Sequence, residues 1–263
     1  MEVLERKLKS LRLSGIGQVL TIRNHEAVQA KLGYLEFLEL LVDDELTRRK
    51  SKLYERRSRQ AGFPVEKRLE DFDFSFNEKI NARQIHDLCA GRFLQSAENV
   101  LFLGPPGVGK SHLAVAIGLK VIRAGYSVRY YAADDLASAC ADAMAADRTD
   151  GFLADLSRVN LLILDDLGLK KLPPSAGEFL LDVVRSRYER SSILITSNRP
   201  FDDWGKILGD TAAATAILDR ILHHAHVVQI TGKSYRIAKR NTPSTLEESL
   251  LQEPKRPGRN RPR

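Results

Sequence analysis

The chain has 263 residues, 43% of them hydrophobic and 29% charged, with a formal net charge of +7. That excludes a wholly disordered chain and leaves room for one large domain or two smaller ones. No apolar run approaches the ~18 residues of a membrane span, the opening Met1-Glu2-Val3-Leu4-Glu5-Arg6-Lys7 lacks the apolar core of a secretory signal, and Cys89 and Cys140 offer neither a disulfide framework nor metal-ligand spacing. The expectation is a soluble cytoplasmic protein.

Residues 1–62 predict a helical, basic N-terminal domain. Leu4, Leu8 and Leu11 recur at helical spacing, Gly15 and Gly17 are expected to break the first helix from the next, and Tyr34, Phe37, Leu38, Leu41 and Val42 trace one buried face. The region holds 13 Lys or Arg against 9 Asp or Glu. Seven of the basic residues, Arg48, Arg49, Lys50, Lys52, Arg56, Arg57 and Arg59, fall on a helix that runs toward Gly62-Phe63-Pro64. Such a stripe attracts phosphates; its alternative is a solvated helix face. Residues 63–97 form a linker and leading segment, in which Phe72-Asp73-Phe74-Ser75-Phe76 reads as extended chain lying on the next domain.

Residues 98–241 alternate strand and helix. Val100–Leu103, Ser127–Ala132, Asn160–Asp165, Ser192–Ser197 and His226–Ile230 read as short apolar strands. Lys110–Arg123, Asp134–Ala146, Ser175–Arg190 and Ala212–His223 read as helices. The pattern predicts an α/β domain with a five-stranded parallel sheet covered by helices on both faces. Residues 242–263, with Pro243, Pro254, Pro257, Gly258 and Pro262 among charges, are expected to be a disordered basic tail. Residues 236–263 hold 8 basic against 3 acidic groups and residues 63–235 hold 20 against 22, so the positive excess sits in the flanks, which suits a polyanionic partner.

The strongest chemical signal is Gly104-Pro105-Pro106-Gly107-Val108-Gly109-Lys110-Ser111, which fits G-x-x-x-x-G-K-[ST] between a strand and a helix. Glycines let successive N–H groups close around phosphate oxygens, and the following helix, with His112 in its first turn, adds its N-terminal dipole. Lys110 is expected on the β- and γ-phosphates and Ser111 on Mg²⁺. A buried strand delivers Asp165 and Asp166 to the same sheet edge: Asp165 to the metal shell, Asp166 to the attacking water. Thr196-Ser197-Asn198 ends another strand, where the Asn198 amide can hold that water, with a loop-starting residue before Arg199-Pro200 as its alternative. Arg220, in an apolar helix, can stabilise γ-phosphate charge across a subunit boundary or simply pair with Asp210 or Asp219.

In that order these pieces resemble AAA+ ATPases of the DnaA/DnaC branch. The wording is closer still to the IstB family, the helper ATPases of a class of bacterial insertion sequences. The resemblance covers roughly residues 1–240 and rests on Asp71–Phe76, Gly104–Gly118, Leu161–Gly168, Thr196–Phe201, Leu218–His226 and Ser234-Tyr235-Arg236. It implies an AAA+ P-loop fold, ATP and Mg²⁺ as cofactors, Asn198 as the sensor-1 residue, Arg220 as a trans-acting finger and Arg236 as a second nucleotide-sensing arginine. It also implies a nucleoid-associated homo-oligomer on duplex DNA that serves a transposase, with no membrane role. The basic stripe and Lys170-Lys171 are then the candidate DNA contacts. Asp166 departs from the AAA+ pattern, where Glu is usual. The shorter carboxylate stands about one bond, ~1.5 Å, farther from the water, so slow turnover is expected, suited to a switch. Little chain follows Arg236 to form a helical lid. The alternatives are a helicase loader of the DnaC/DnaI kind, which shares the core, a P-loop kinase of a small molecule, and a DNA-binding switch with negligible hydrolysis.

Overall fold

The computed structural model describes residues 2–240; the tail expected at 242–263 lies outside the described residues. Three helices open the chain: α1 (Glu2–Ser10), α2 (Ser14–Ala30) and α3 (Tyr34–Ala61). α2 and α3 pack as a hairpin over a small core of Ile16, Leu20 and Leu41, flanked by Leu8, Leu13, Val19 and Phe37. Of the five residues expected as one buried face of α3, only Leu41 is buried; Phe37 is half-buried, and Tyr34, Leu38 and Val42 are exposed. The seam is rotated to Phe37, Leu41 and Glu45 because Glu45 is drawn inward by the start of α2. Its carboxylate accepts the Gly15 and Ile16 N–H groups at 2.5 and 3.2 Å and the Arg49 guanidinium at 2.7 Å. The anion thereby meets the positive end of the helix.

The break between α1 and α2 falls at residues 11–13, and both Gly15 and Gly17 lie inside α2. Gly15 serves packing instead of termination: a Cβ there would stand 2.8 Å from the Glu45 Cα. At its far end α3 leaves the hairpin and joins the main body. Ala61 is fully buried in the larger core, with Tyr54 and Phe63 packed against it. Arg57 donates to the Gly125 carbonyl, and Arg129 donates to the Gln60 carbonyl at 2.7 Å. Gly62 (φ +76°) then ends the helix in a left-handed cap.

Phe72–Phe76, expected to be extended, follows a single 3₁₀ turn at Leu69–Asp71 and runs into a second at Ser75–Asn77. Asp73 explains the second: its Oδ1 accepts from Ser75 N, Ser75 Oγ and Phe76 N at 2.9, 2.6 and 3.3 Å, an interaction that competes with extended pairing. A helix absent from the sequence reading, α4 (Ala82–Cys89), follows with Asn81 as its cap.

The sheet comprises β1 (Asn99–Leu103), β2 (Val128–Ala132), β3 (Leu161–Leu167), β4 (Ser192–Ser197) and β5 (Ala225–Gln229), all parallel, in the order β2-β3-β4-β1-β5. Between them run α5 (Lys110–Arg123), α6 (Ala133–Ala145), α7 (Thr149–Arg158), α8 (Pro174–Arg187), α9 (Trp204–Leu208) and α10 (Thr211–His223); α11 (Tyr235–Arg240) ends the described chain. Alternate residues of each strand go to opposite cores. Val100, Phe102, Leu161 and Ile163 pack with α4 and α5, whereas Leu101, Leu162 and Leu164 pack with α6 to α10. That double burial is why the strands read as continuous apolar runs.

In the strand-and-helix region, two expected elements end more than one residue from where the sequence places them. α8 ends at Arg187, three residues early, because the chain turns through Glu189 at φ +56°. Arg187 is fully buried there and clamps the Leu156, Asn160 and Ser192 carbonyls; burial lowers its pKa to about 10. β3 runs on past Asp165 to Leu167 with a register irregularity, and α7 and α9 fill stretches left unassigned.

Glu45 supplies a test of the hairpin. Burial opposes its charge, but the bonds from Arg49, Gly15 and Ile16 outweigh that and hold its pKa below the ordinary 4.5. The carboxylate therefore stabilises the fold above that pH, and its contribution is lost as pH falls through the lower folded value. Glu45→Ala is expected to cost about 1–3 kcal/mol in urea unfolding at pH 7, with a smaller difference from wild type at pH 3; equal midpoints at pH 7 would contradict this assignment.

Candidate nucleotide-binding site

All five strands point the same way, so their carboxyl ends share one edge. β1 lies beside β4 and β5, and the chain leaves it for β2 at the far side of the sheet. A reversal of this kind leaves a crevice outside the strand ends. Residues 104–109 fill the start of that crevice, and α5 begins at Lys110. Gly109 adopts φ +101°, and a Cβ there would meet the Phe72 ring at 2.6 Å, so only glycine lets the loop close beneath the leading segment.

The resulting cavity, about 290 Å³, is walled by Pro106 to His112, by Asp166, Leu169 and Asn198, and by Tyr235 and Arg236. Gly104 and Pro105 complete the loop beneath it: Lys110 is 5% exposed, and its Nζ donates to their carbonyls at 2.8 and 2.9 Å. Burial lowers the Lys110 pKa, partly offset by Asp166 and Asp165. His112 also lines the cavity, but its ring is committed elsewhere, with Nε2 2.7 Å from the Arg68 carbonyl and its edge toward Phe72.

The two carboxylates divide. Asp165 is 3% exposed and stands behind the wall, where Tyr130 OH donates to Oδ2 at 2.7 Å and Thr196 Oγ1 donates to Oδ1. Both oxygens are thereby fixed in direction. Burial and the Asp165 contact push the Tyr130 phenol well above its usual range. Asp166 lines the cavity itself. Successive strand residues would ordinarily face opposite sides, but Asp166 takes φ +56°, with its N–H donating to Thr196 Oγ1 at 2.9 Å. The expectation of a strand that simply stops at the carboxylates is corrected accordingly: a left-handed residue inside β3 re-aims the second one. Burial, then the neighbouring Asp165, raises the Asp166 pKa, against Lys110, Arg236 and Lys67.

Several of these residues lay beyond the sequence reading. Lys67, Asp71, Phe72, Asp73, Phe76 and Asn77 of the leading segment close the cavity from the other side, and Phe76 meets Tyr235 edge-to-face with centroids 5.0 Å apart. The alternating aromatics were the available signal; the turn that brings them to the cavity was not visible. Tyr130 and Thr196 carried no motif.

The remaining candidates lie elsewhere. Arg220, on α10, donates to the Ala216 carbonyl at 2.8 Å and lines a small cavity with Asn99, Tyr188 and Glu189. Asn99 begins β1 and bonds the Ile221 carbonyl, so Arg220 stands at the amino edge of the sheet, opposite its own phosphate loop. No ion pair to Asp210 or Asp219 is found among the described residues. In the basic stripe, Arg49 is paired with Glu45, Arg57 with the Gly125 carbonyl, and Arg48 is half-buried against Gly15. Lys50, Lys52, Arg56 and Arg59 are exposed; Lys52, Arg56 and Arg59 recur at intervals of four and three on one helix face. Lys170 pairs with Asp134 at 2.9 Å, and Lys171 is exposed.

The site fits a nucleoside triphosphate. Lys110, Lys67 and Arg236 offer positive charge, and Asn198 Oδ1 is buried with no hydrogen-bond partner among the described residues. The Ser111 hydroxyl and the Asp166 carboxylate line the cavity, with the Asp165 carboxylate behind them, and oxygen donors of this kind suit a hard divalent cation. Fold and site together define an ATPase of the AAA+ class. The fold is shared with AMPPCP-bound DnaA from Aquifex aeolicus, at a TM-score of 0.54 and 24% identity, over 73% of this chain and 58% of that one.

Within that class, the chain belongs to the family of IstB-like ATP binding proteins, whose model matches residues 6–243. It is 36% identical over 249 residues to a protein of Pseudomonas aeruginosa named for ATP binding and insertion sequence IS21, covering 95% of this chain and 94% of that one. It is also 36% identical to a Geobacillus stearothermophilus protein named likewise for insertion sequence IS5376, over 85% of this chain and 86% of that one. No helix among the described residues is long and apolar enough to cross a membrane.

Removal of the buried cation measures the site directly. Lys110→Ala is expected to weaken ATP binding by about 10- to 100-fold, the ~1.5–3 kcal/mol of a charged hydrogen bond. Titration with a fluorescent ATP analogue reads this, and an unchanged affinity would remove Lys110 from the binding set.

Proposed function

We propose that this protein hydrolyses ATP while assembled with copies of itself on duplex DNA, and that the assembly assists the transposase of the same insertion element. The observation that carries the reading is the position of Arg220 at the sheet edge opposite its own phosphate loop. A cation in a helix otherwise rich in apolar residues, at the sheet edge opposite its own phosphate loop, suits the cavity of a neighbouring copy. Oligomerisation then completes the site, and hydrolysis depends on assembly.

Within one copy, the loop Gly104-Pro105-Pro106-Gly107-Val108-Gly109 wraps the triphosphate, with main-chain N–H groups from Gly107, Val108 and Gly109 because the two prolines have none, and Lys110 neutralises the terminal phosphates. Ser111 and Asp165 would hold Mg²⁺, with Asp165 aimed by Tyr130 and Thr196; the bound ion would supply neutralisation of phosphate charge. Asp166 accepts a proton from the attacking water, Asn198 positions that water through its unpaired Oδ1, and Arg236 senses the nucleotide from α11. The aspartate at position 166, one methylene shorter than the usual glutamate, favours slow turnover.

The DNA reading is supported by the basic flanks and by the exposed face of α3 that carries Lys52, Arg56 and Arg59, with Lys50 exposed on another side of the helix. Contacts of this kind go to phosphates and carry little sequence information. Arg49 and Lys170 reach DNA only by sharing or exchanging their carboxylate partners, and Arg48 and Arg57 serve the fold more than the ligand. The transposase reading is supported by relatives named for insertion sequences.

A complementation experiment tests the central step. Arg220→Ala is expected to bind ATP normally but to lose at least about 100-fold in hydrolysis under assembling conditions. Mixing it with Lys110→Ala, which keeps Arg220 but is expected to hold nucleotide only weakly, restores hydrolysis if the arginine acts in trans. Full activity of Arg220→Ala alone, or no recovery on mixing, would defeat the proposal.

A further inference from the structure

Beside the nucleotide cavity lies a second, open cleft of about 340 Å³ walled by Lys170, Lys171, Arg199, Lys206 and Asp203, with Gly168, Leu169 and Ile207 at its base. Lys170 is paired outward with Asp134, and Lys206 meets Asp203 at 3.4 Å. Lys171 makes no ion pair among the described residues, and the Arg199 side chain makes only a long 3.4 Å bond to the Gly168 carbonyl. Cations held around a concavity reinforce one another's potential, and an anion entering it relieves their repulsion. A guanidinium flanked by two ammonium groups matches a phosphodiester, one oxygen pair taken by the fork and the rest by point charges.

The cleft shares its walls with the nucleotide cavity. Leu169 is 57% exposed and lines both. Two strand ends each send consecutive residues to the two cavities: after β4, Asn198 faces the nucleotide side and Arg199 the basic side; after β3, Leu169 borders both and Lys170-Lys171 follow in the cleft. The two ends are tied together. Ser197 Oγ donates to the Leu167 carbonyl at 2.6 Å, and Gly168, at φ +94°, leaves no room for a side chain between the Ile207 and Arg199 side chains. The Leu172 N–H completes the tie by donating to the Ile207 carbonyl at 2.9 Å.

We infer that this cleft binds a backbone phosphate of duplex DNA and that its occupancy is coupled to the nucleotide state through the residues 167–172 loop and the Asn198-Arg199 step. The inference rests on the DNA-binding reading above and adds Arg199, Lys206 and the link to ATP. Any shift of Asn198 or Leu169 between ATP and ADP moves the neighbouring cations, and by linkage DNA in the cleft alters nucleotide affinity by the same factor.

The test uses the full chain and a fluorescently labelled 30-base-pair duplex, titrated with the ATP analogue AMPPCP or with ADP over a range of salt. In the Lys171→Glu, Lys206→Glu double variant, duplex affinity is expected to fall at least ~10-fold, and the salt slope to shrink by about one to two. The difference in duplex affinity between AMPPCP and ADP is expected to narrow as well. Both positions are exposed, so an unchanged melting temperature verifies the fold. A 30-base single strand is the second arm; equal loss on both strands assigns the cleft to a phosphate and not to duplex geometry, overturning the duplex part of the inference. Wild-type-like affinity, slope and nucleotide difference in the double variant overturn the cleft while leaving DNA binding intact. Failure of the wild-type chain to bind duplex overturns the DNA reading itself.

Discussion

Burial of a parallel sheet on both faces is the constraint on which the rest of the structure depends. With Val100, Phe102 and Ile163 committed to one core and Leu101, Leu162 and Leu164 to the other, the strands have no face left for polar chemistry. In β1, β3 and β4 the only charged side chains, Asp165 and Asp166, lie toward the carboxyl end of β3. The order β2-β3-β4-β1-β5 then gathers the ends of β1, β3 and β4 around one crevice, so the phosphate loop, the carboxylates and Asn198 converge from residues nearly a hundred positions apart. Asp165 shows how costly groups are tolerated there: a buried carboxylate persists because two hydroxyls, Tyr130 and Thr196, occupy its oxygens.

The same economy explains the placement of the helical N-terminal region. Its own core is small, and α3 gains much of its anchorage from the main body, through Ala61, Arg57 and the Gln60 carbonyl. The leading segment continues that docking and roofs the nucleotide cavity with Phe72, Phe76 and Lys67. The leading segment thus joins the cavity directly to the basic helix.

Much of this was legible from sequence. The strands were placed to within about two residues because each is a short apolar run bounded by turn residues, and the phosphate loop because its glycines and lysine leave little alternative. Legibility failed where a side chain reaches a distant partner. The stripe Tyr34 to Val42 was misjudged because Glu45, a charged residue, takes the interior position by capping α2. The leading segment was misjudged because Asp73 captures its own downstream amides. The left-handed Asp166 is invisible to periodicity, since a single residue at φ +56° re-aims a carboxylate without altering the apolar pattern. Likewise, seven basic residues between positions 48 and 59 give no sign that Arg49 and Arg57 are already engaged.

The proposed activity turns on copies of the chain completing one another's nucleotide sites along a double helix. Electron microscopy of the wild-type protein with long duplex DNA, comparing ATP with ADP, measures this most directly. Ordered multi-subunit assemblies that coat the duplex with ATP and disperse with ADP are the expected result. Single, unassembled molecules at saturating ATP and DNA would contradict it.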